Sequence, residues 1–318
     1  MLISIIIPCY RSAKTIERVV EEIKTEIAKR PGNNYQIILV NDCSPDDTFE
    51  VIKKLAVEDS NIVGVDLARN YGQNNARLAG LPYVKGDIAI SMDDDGQHPA
   101  DQIYPLVDKI NEGYDLVYVH FTKQRKTAFR RFSSRVNTAL LELTGAKMKG
   151  IYNSPFLAWS RFSVEMLKNY HSPFASAGSY LMRCTTRVAN IETVQRARME
   201  GRSGYTLRKL MNLWLTEFTN FSAVPLRAAG ILGLFSGFIG VIMALVLIIR
   251  KIINPSILAG YASTMAVLLI VSGIVMLMLG LMGEYIGKTY MTLSGQPQFV
   301  ARTVVNSEDN TEGQIMKQ

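Results

Sequence analysis

The sequence lacks the two glycine-rich motifs that most often mark phosphate binding. No G-x-G-x-x-G follows the first apolar segment, and no G-x-x-x-x-G-K-[ST] occurs among the 318 residues. Both motifs bring backbone N–H groups against phosphate, so their absence counts against a dinucleotide-dependent oxidoreductase and a P-loop ATPase. The sequence also contains no internal repeat.

Cysteine is scarce, with only three residues in the chain. Cys9, Cys43 and Cys184 do not have the spacing of a metal site, and their odd number argues against a disulfide framework. We therefore expect reduced thiols in a cytoplasmic domain. The run from Leu2 to Pro8 is too short for the apolar core of a signal peptide and lacks a basic start, which supports the same expectation.

Charge is absent from two long segments near the C-terminus. Ala228 to Ile249 runs 22 residues without a charged side chain, and Leu258 to Gly283 runs 26. Because about 20 helical residues cross the hydrocarbon core of a bilayer, this pattern predicts two transmembrane helices. The alternative is a buried pair of core helices, which uncharged runs longer than about 18 residues disfavour.

Basic residues flank the two predicted spans and place the preceding domain in the cytoplasm. Arg250 and Lys251 in the short connection weaken this charge asymmetry without reversing it. We therefore expect an inner-membrane or plasma-membrane protein with two spans and a cytoplasmic catalytic domain. The flanking residues are Arg208, Lys209 and Arg227 before the first span, and Lys288 and Arg302 after the second.

The segments around the hairpin complete the predicted organisation. Ser203 to Val224 carries apolar residues at helical spacing, which predicts an interfacial helix with Trp214 at headgroup level; a core helix of the soluble domain is the alternative. The polar tail from Asn306 is predicted to be disordered. The predicted parts are a catalytic domain (1–202), an interfacial helix (203–227), a transmembrane hairpin (228–283) and a cytoplasmic tail (284–318).

The net charge of +7 has a local component. Such a basic patch suits nucleic acid, anionic lipid or a phosphorylated ligand. Nucleic acid is disfavoured because no aromatic-interleaved basic surface or known motif accompanies the patch. Six basic residues and no acidic residue occur within 13 positions: Lys123, Arg125, Lys126, Arg130, Arg131 and Arg135.

Short apolar runs alternate with helical segments before the basic patch. Continuous apolar strands between helices predict an α/β fold with a mostly parallel sheet covered on both faces. Ligands of such sheets bind beyond the carboxyl ends of the strands, and three of those ends are polar: Asn41–Ser44, Arg69–Asn70 and Asp93–Asp95. The predicted strands are Ile3–Ile7, Gln36–Val40, Ile62–Leu67, Ile88–Met92 and Leu116–His120, and the predicted helices are Thr15–Lys29, Thr48–Glu58, Asn74–Val84 and Asp101–Asn111.

Three carboxylates follow the fourth predicted strand, and they repel one another unless a cation or hydrogen-bond donors offset their charge. Alternate residues of an extended segment point the same way, so Asp93, Asp95 and Gln97 can converge while Asp94 turns aside. Their oxygen atoms suit Mg²⁺ or Mn²⁺, which can bridge a diphosphate leaving group. The alternative is a solvated acidic turn. We expect His98 to be a surface residue rather than a metal ligand.

Several motifs, taken in order, resemble family 2 glycosyltransferases of the polyprenyl-phosphate type, such as dolichol-phosphate mannose synthase and bacterial undecaprenyl-phosphate sugar transferases. The resemblance covers the chain to about Arg302 and implies a Rossmann-like GT-A domain followed by interfacial and transmembrane helices. The motifs are Ile5-Ile6-Ile7-Pro8-Cys9-Tyr10, Val40-Asn41-Asp42-Cys43-Ser44-Pro45-Asp46-Asp47-Thr48, Arg69-Asn70-Tyr71-Gly72-Gln73, Met92-Asp93-Asp94-Asp95-Gly96-Gln97-His98-Pro99, Pro225-Leu226-Arg227 and Gly283-Glu284-Tyr285-Ile286-Gly287-Lys288.

The resemblance also implies roles for individual residues. Asp93, Asp95 and Arg131 would serve catalysis, and Asp93, Asp95 and Gln97 would hold the metal. For Asp42 the alternative is a turn residue that bonds its own backbone; for Arg125 and Arg135 it is a solvated surface charge. Residues implied to bind the nucleotide sugar are Pro8, Tyr10, Asp42, Asp93 and Asp94, and those implied to bind the acceptor phosphate are Arg131, Ser134, Arg198, Arg202 and Ser203.

One motif of the relatives is missing. Many relatives carry Asp-Phe-Arg near the active site, where this sequence reads Asn153-Ser154-Pro155-Phe156-Leu157. The carboxylate often proposed there as catalytic base is therefore absent. A phosphate monoester has a second pKa near ~6 and is largely anionic at neutral pH, so such an acceptor needs positioning more than deprotonation.

The resemblance implies an inverting, metal-dependent enzyme that transfers a sugar to undecaprenyl phosphate at the cytoplasmic membrane face. The expected donor is a nucleotide sugar of the UDP class. The alternatives are a GDP-mannose-dependent polyprenyl-phosphate mannosyltransferase and a non-catalytic nucleotide-binding membrane scaffold. A processive polysaccharide synthase is disfavoured because Trp159 and Trp214 lack the Gln-x-x-Arg-Trp context. Relatives also suggest a homo-oligomer, a tetramer, through spans whose glycines permit close helix approach: Gly230, Gly233, Gly237 and Gly240.

Overall fold

The computed structural model describes residues 1–122, 148–170, 172, 177–194, 224–254, 260–295 and 297–307. The chain divides into two compact units. The first comprises Met1–Leu210 together with Gln296–Gln318, and the second comprises Met211–Gly295. The first unit therefore contains chain from both sides of the second.

A sheet with helices on both faces forms the first unit. In the described ranges the strand order is β7-β5-β6-β4-β1-β2-β3-β8. The strands are β1 (Leu2–Cys9), β2 (Asn34–Asn41), β3 (Ile62–Leu67), β4 (Ile88–Ser91), β5 (Leu116–Phe121), β6 (Leu157–Ser160), β7 (Val188–Thr193) and β8 (Ala301–Val305). The helices are α1 (Ile16–Ile27), α2 (Thr48–Glu58), α3 (Gln73–Gly80), α4 (Ile103–Asn111), α5 (Arg161–Lys168) and α6 (Ala177–Cys184).

Alternation along the central strands divides the core between the two faces of the sheet. Ile5 and Ile7 of β1 belong to the cluster that includes residues of α1, α2 and α4, whereas Ile6 belongs to the cluster that includes residues of α3, α5 and α6. Successive side chains of a strand point to opposite faces, so an uninterrupted apolar strand supplies both clusters. The prediction of a mostly parallel sheet covered on both faces is confirmed.

Three strands were not predicted, and two of them run antiparallel to their neighbours. β6 is antiparallel to both β4 and β5, while β7 is parallel to β5. β8 pairs antiparallel with β3 at one border of the sheet. Because β6 reverses direction, its first residue, Leu157, pairs with Ser91 at the end of β4.

Two long helices form the described part of the second unit: α7 (Val224–Ile253) and α8 (Tyr261–Leu293). Within the described residues, one segment is long and apolar enough to cross a membrane, Ile270–Leu293, with a mean hydropathy of 1.8. The shorter apolar stretch of α7 runs over Ala229–Met243. The prediction of a helical hairpin agrees with the structure, but the prediction of two spans is not confirmed.

One of the four glycines expected to permit helix association is used inside the hairpin. A Cβ atom placed on Gly233 would lie 2.5 Å from Cε of Met278 on α8, so a larger residue at this position would require the flexible end of the Met278 side chain to move. A Cβ on Gly230, Gly237 or Gly240 would meet no described atom within 4 Å.

The predicted tail over 284–318 contains the end of a helix and a strand. α8 continues to Leu293, since Glu284 and Lys288 form an i,i+4 ion pair at 3.2 Å and the first left-handed glycine is Gly295, with φ +62°. Residues 301–305 then form β8. The predicted interfacial helix lies almost entirely outside the described residues.

Candidate functional site

The carboxyl ends of β1, β2, β3 and β4 meet at one edge of the sheet because these strands are mutually parallel. The loops that follow them share this edge, which we call the site edge: residues 10–15, 42–47, 68–72 and 92–99. The start of β6 lies at the same edge, because Leu157 pairs with Ser91. The predicted ligand-binding loops are therefore brought together by the topology of the sheet.

Asp42 fastens two of these loops to each other. Its Oδ1 accepts a hydrogen bond from the Tyr71 N–H at 2.7 Å, and its Oδ2 accepts one from the Gly72 N–H at 2.9 Å. Asn70 Nδ2 also donates to the backbone oxygen of Asp42 at 3.2 Å. Burial raises the pKa of the Asp42 carboxyl, and the two N–H donors oppose that rise. The carboxylate thus bonds the loop of residues 69–72, not its own turn as the alternative supposed.

Asp94 fastens the loop after β1. Its Oδ2 accepts hydrogen bonds from the Tyr10 N–H at 3.0 Å and from the Ser12 hydroxyl. Burial, together with the charge of Asp93, raises the pKa of Asp94 to about 6. The loop carries Tyr10, whose side chain is exposed at the site edge, while Pro8 is buried in β1. Asp94 therefore binds the loop after β1, whereas the side chains that surround Asp93 come from other segments.

Asp93 lies among three nitrogen-bearing side chains. Its Oδ1 accepts hydrogen bonds from Gln73 Nε2 at 2.6 Å and from Arg77 Nη2 at 3.1 Å. Its Oδ2 lies 3.6 Å from His98 Nε2. Arg77 is buried, and its Nε–H has no partner among the described groups. No sequence motif marks Arg77. The one sign of its role is that it is an arginine on the buried face of α3, four residues after Gln73.

His98 is buried, and the prediction of a surface position is wrong. The imidazole stacks on Phe156, with ring centroids 4.8 Å apart, and on Phe121, at 5.7 Å. Its Nδ1 accepts the Asp93 backbone N–H at 2.9 Å, so the neutral ring carries its hydrogen on Nε2. Burial lowers the pKa of His98 and favours that neutral form. One of the two aromatic rings belongs to β5 and the other to the residue before β6. Together they enclose His98, although the local sequence around it predicts only an exposed turn.

The predicted metal ligands fit a hard divalent cation by donor type, with one qualification from the structure. Asp95 Oδ1 accepts the Gln97 N–H at 3.0 Å, which bends the segment between the two predicted ligands. Asp93 already has Arg77 and Gln73 on one oxygen. Over the ranges that the structure covers, no group of three or more His, Cys, Asp and Glu side chains is arranged to hold a metal ion. Two carboxylates and the Gln97 amide are the candidate set.

The predicted acceptor residues cannot be placed at the site edge. Arg131, Ser134, Arg198, Arg202 and Ser203 lie outside the described residues, as do Arg125 and Arg135. The segment that replaces the relatives' Asp-Phe-Arg is described. Pro155 stands two residues before Leu157, and Ser154 Oγ accepts the Phe156 N–H at 3.2 Å. This segment therefore enters the sheet next to the end of β4, and it carries no carboxylate.

Comparison with known families matches both units of the chain. Residues 4–183 match the family model described as Glycosyl transferase family 2, and residues 224–289 match the one described as GtrB C-terminal hairpin. Two similar proteins bear the name undecaprenyl-phosphate 4-deoxy-4-formamido-L-arabinose transferase. The one from Serratia proteamaculans is 31% identical over 97% of this chain and 95% of its own length. The one from Yersinia pestis is 32% identical over 98% and 96%.

A solved structure shares the fold of the first unit. It is glucosyl-3-phosphoglycerate synthase from Mycobacterium tuberculosis in complex with Mn²⁺, UDP-glucose and phosphoglyceric acid. The TM-score is 0.50 at 20% identity, covering 69% of this chain and 77% of that chain. Together with the family match, this likeness confirms the predicted GT-A fold.

Proposed function

Because the chain belongs to glycosyl transferase family 2 and is therefore a glycosyltransferase, we propose that it transfers a sugar from a UDP-sugar to undecaprenyl phosphate. One observation carries the proposal. Relatives named for this acceptor align over 97% and 98% of the chain, so the alignment includes the hairpin as well as the sheet with its site edge. Their names also make a 4-deoxy-4-formamido-L-arabinose or a related sugar the first candidate for the transferred group.

The nucleotide of the donor binds at the site edge in this proposal. Asp42 and the loop of residues 69–72 form one side of the cradle, since their mutual hydrogen bonds hold both in one arrangement. Tyr10 forms the other side, because its backbone is fixed by Asp94 while its ring stays 46% exposed. A cradle that is fixed before the ligand arrives loses little conformational entropy on binding.

The diphosphate lies at Asp93–Gln97 in the same proposal. Asp95, Gln97 and the Oδ2 side of Asp93 would hold Mg²⁺ or Mn²⁺, whose charge would stabilise the departing diphosphate. Arg77 holds Asp93 in place through its 3.1 Å contact with Oδ1. Neutral His98 holds the backbone of Asp93, because its Nδ1 accepts that residue's N–H. Both contacts hold Asp93 in place, and neither is a hydrogen bond to its Oδ2.

In this proposal, the sugar is transferred by a displacement that inverts the configuration of its anomeric carbon. A phosphate oxygen of the acceptor attacks the anomeric carbon, the new C–O bond forms, and the bond to the diphosphate breaks as the nucleoside diphosphate leaves. The acceptor is largely anionic at neutral pH, which accounts for the lack of a carboxylate in Asn153-Ser154-Pro155. The basic residues proposed to bind its phosphate are those implied by the resemblance: Arg131, Ser134, Arg198, Arg202 and Ser203.

The hairpin anchors the enzyme to the membrane in which the acceptor lies. We propose that α7 and α8 both span the bilayer, with the first unit on the cytoplasmic side. A covalent tether confines the catalytic unit to the membrane surface and so raises the effective concentration of the lipid acceptor.

A direct experiment tests the reaction and identifies the sugar. Purified full-length protein in detergent is incubated with undecaprenyl phosphate, Mn²⁺ and a panel of UDP- and GDP-sugars, and lipid products are identified by mass. We expect one UDP-sugar to yield a glycosylated undecaprenyl phosphate. Product from GDP-mannose alone would favour the mannosyltransferase alternative, and nucleotide binding without any product would favour the scaffold.

A further inference from the structure

The chain returns to the sheet after the hairpin, and β8 begins beside the proposed donor cradle. β8 pairs antiparallel with β3, with Val65 opposite Val304 and Leu67 opposite Ala301. Arg302 of β8 contacts Ala68, the residue that follows β3, and the two residues are 234 positions apart in the sequence. β8 is thus an added strand of the catalytic unit, although it follows the hairpin in sequence.

The far end of β8 is anchored by Asn306. This residue adopts a left-handed backbone conformation with φ +62°. Its Nδ2 contacts three backbone oxygens where α2 leads into β3: Ala56 at 3.3 Å, Asp59 at 3.3 Å and Ile62 at 2.8 Å. Val304 and Val305 pack against opposite core clusters. The anchor fixes the register of β8 along β3.

The near end of β8 holds the residue from which the donor loop begins. The Ala68 N–H donates to the Val300 oxygen at 2.9 Å, and Arg302 Nη2 donates to the Ala68 oxygen at 3.1 Å. Both backbone groups of Ala68 are therefore bonded to the C-terminal segment. The ladder also has an irregularity between Asp66 and Leu67, so the side-chain bond from Arg302 acts where regular pairing is disturbed.

The loop that starts at Ala68 leads directly to the proposed donor-binding groups. Tyr71 and Gly72 donate their N–H groups to the Asp42 carboxylate. The next residue, Gln73, donates to Asp93. A shift of Ala68 would therefore be transmitted, within five residues, to both carboxylates at which we place the nucleotide and the diphosphate.

We propose that Arg302 is a positioning residue for the nucleotide donor: it holds Ala68, and through Ala68 it holds the loop of residues 69–72 against Asp42. The inference rests on the proposed function for the identity of the ligand as a nucleotide. It makes the segment between α8 and β8 a covalent link from the hairpin to the donor cradle.

The test compares Arg302→Ala, Arg302→Lys and a matched control, Thr303→Ala, in the full-length protein in detergent. Thr303 is the next residue on the same strand and is also exposed. Three quantities are measured: hydrogen–deuterium exchange of residues 68–73, the Kd of UDP, and the KM and kcat of the reaction. The melting temperature reports any general loss of stability.

Arg302→Ala is expected to speed exchange in the loop and to raise the UDP Kd about 5-fold, as for loss of one hydrogen bond. The donor KM should rise by a similar factor while kcat stays within about 2-fold, because the reacting groups are not altered. Arg302→Lys should recover part of the affinity, and Thr303→Ala should match the unaltered protein.

Unchanged loop exchange, or faster exchange with an unchanged UDP Kd, would overturn the positioning role. A fall in kcat with no change in KM would also overturn it. If the unaltered protein binds GDP but not UDP, the proposed nucleotide is wrong and the same comparison is made with GDP. If it binds neither, the proposed function fails, and this inference fails with it.

Discussion

Arg77 Nη2 lies 3.1 Å from Asp93 Oδ1, and the two side chains keep only 10% and 18% of their surface exposed. The pair joins α3 to the segment after β4, so it fixes the first of the clustered carboxylates to a helix of the sheet's covering layer. Its arginine contacts the site edge through Asp93, although no motif in the sequence marks it. The pair places a positive charge next to Asp93, which lies beside two other aspartates.

Replacing Arg77 should be costly because it would leave Asp93 mostly buried without its counter-charge. We expect Arg77→Met to lower the free energy of unfolding by about 2–3 kcal/mol, below the range for fully buried pairs. The donor KM should rise as well, since Asp93 loses a contact that orients it. Urea titration of the full-length protein and donor kinetics measure the two effects.

A matched control for this substitution is Arg30→Met. Arg30 forms an ion pair of similar length with Asp108, at 2.7 Å, but the side chains are 48% and 50% exposed. Exposed ion pairs contribute little to stability, so this variant should be nearly as stable as the unaltered protein. Equal losses in the two variants would contradict the role assigned to the Arg77–Asp93 pair.

Gly72 has φ +85° and ψ 156°, a region open almost only to glycine, and its N–H donates to Asp42. We therefore expect Gly72→Ala to cost about 1–3 kcal/mol in stability and to weaken UDP binding. Gly32→Ala is the control, because Gly32 also has a left-handed φ, of +86°, but lies in the turn before β2. Calorimetric titration should show weaker UDP binding in Gly72→Ala alone.

The buried Asp94 makes stability depend on pH. Its pKa is raised to about 6, above the value of about 4 in the unfolded chain. The folded state therefore holds the proton more tightly, and its stability falls as the pH rises from about 4 through 6. At neutral pH the raised pKa of Asp94 lowers the free energy of unfolding by about 3 kcal/mol.

Asp94→Asn should remove this dependence, because the amide oxygen can accept the same bonds from Tyr10 and Ser12 without ionising. The difference in unfolding free energy between the variant and the unaltered protein should grow in favour of the variant between about pH 4 and pH 7. Urea titrations across that range in metal-free buffer measure it. A difference that stays constant with pH would show that Asp94 does not titrate in this window.

The strands β1 to β5 could be predicted from the sequence, while β6 inside the sheet and the border strands β7 and β8 could not. The predicted bounds of β3 and α2, Ile62–Leu67 and Thr48–Glu58, agree with the structure. All six residues of β3 are buried, so the apolar run marks the strand. β8 carries exposed Arg302 and Thr303, and its pairing partner is remote in sequence, so no local pattern indicates it.

Part of the candidate site could also be predicted. Asp42 and Asp93 follow strands that are parallel, so their meeting at one edge follows from the order of apolar runs and helices. The contacts of Asp93 could not, because Arg77 reaches it only through the way α3 packs on the sheet. The burial of His98 likewise depends on Phe156, which immediately precedes an antiparallel strand that the sequence did not reveal.

Asp95 is the carboxylate to which we assign the main metal contact, so its neutral isostere should stop the reaction. We expect Asp95→Asn to slow sugar transfer by at least about 100-fold, the range for losing one electrostatic stabiliser of a leaving group. The melting temperature should be nearly unchanged, because the amide keeps an oxygen to accept the Gln97 N–H. Transfer at the unaltered rate would remove Asp95 from the metal site.

The rate at which the full-length protein forms glycosylated undecaprenyl phosphate from a UDP-sugar, followed by mass spectrometry, tests the central claim most directly. The account predicts that the unaltered protein forms this lipid product in the presence of Mn²⁺, with inverted anomeric configuration. No lipid product from any nucleotide sugar, from protein that binds the nucleotide and is correctly folded, would contradict it.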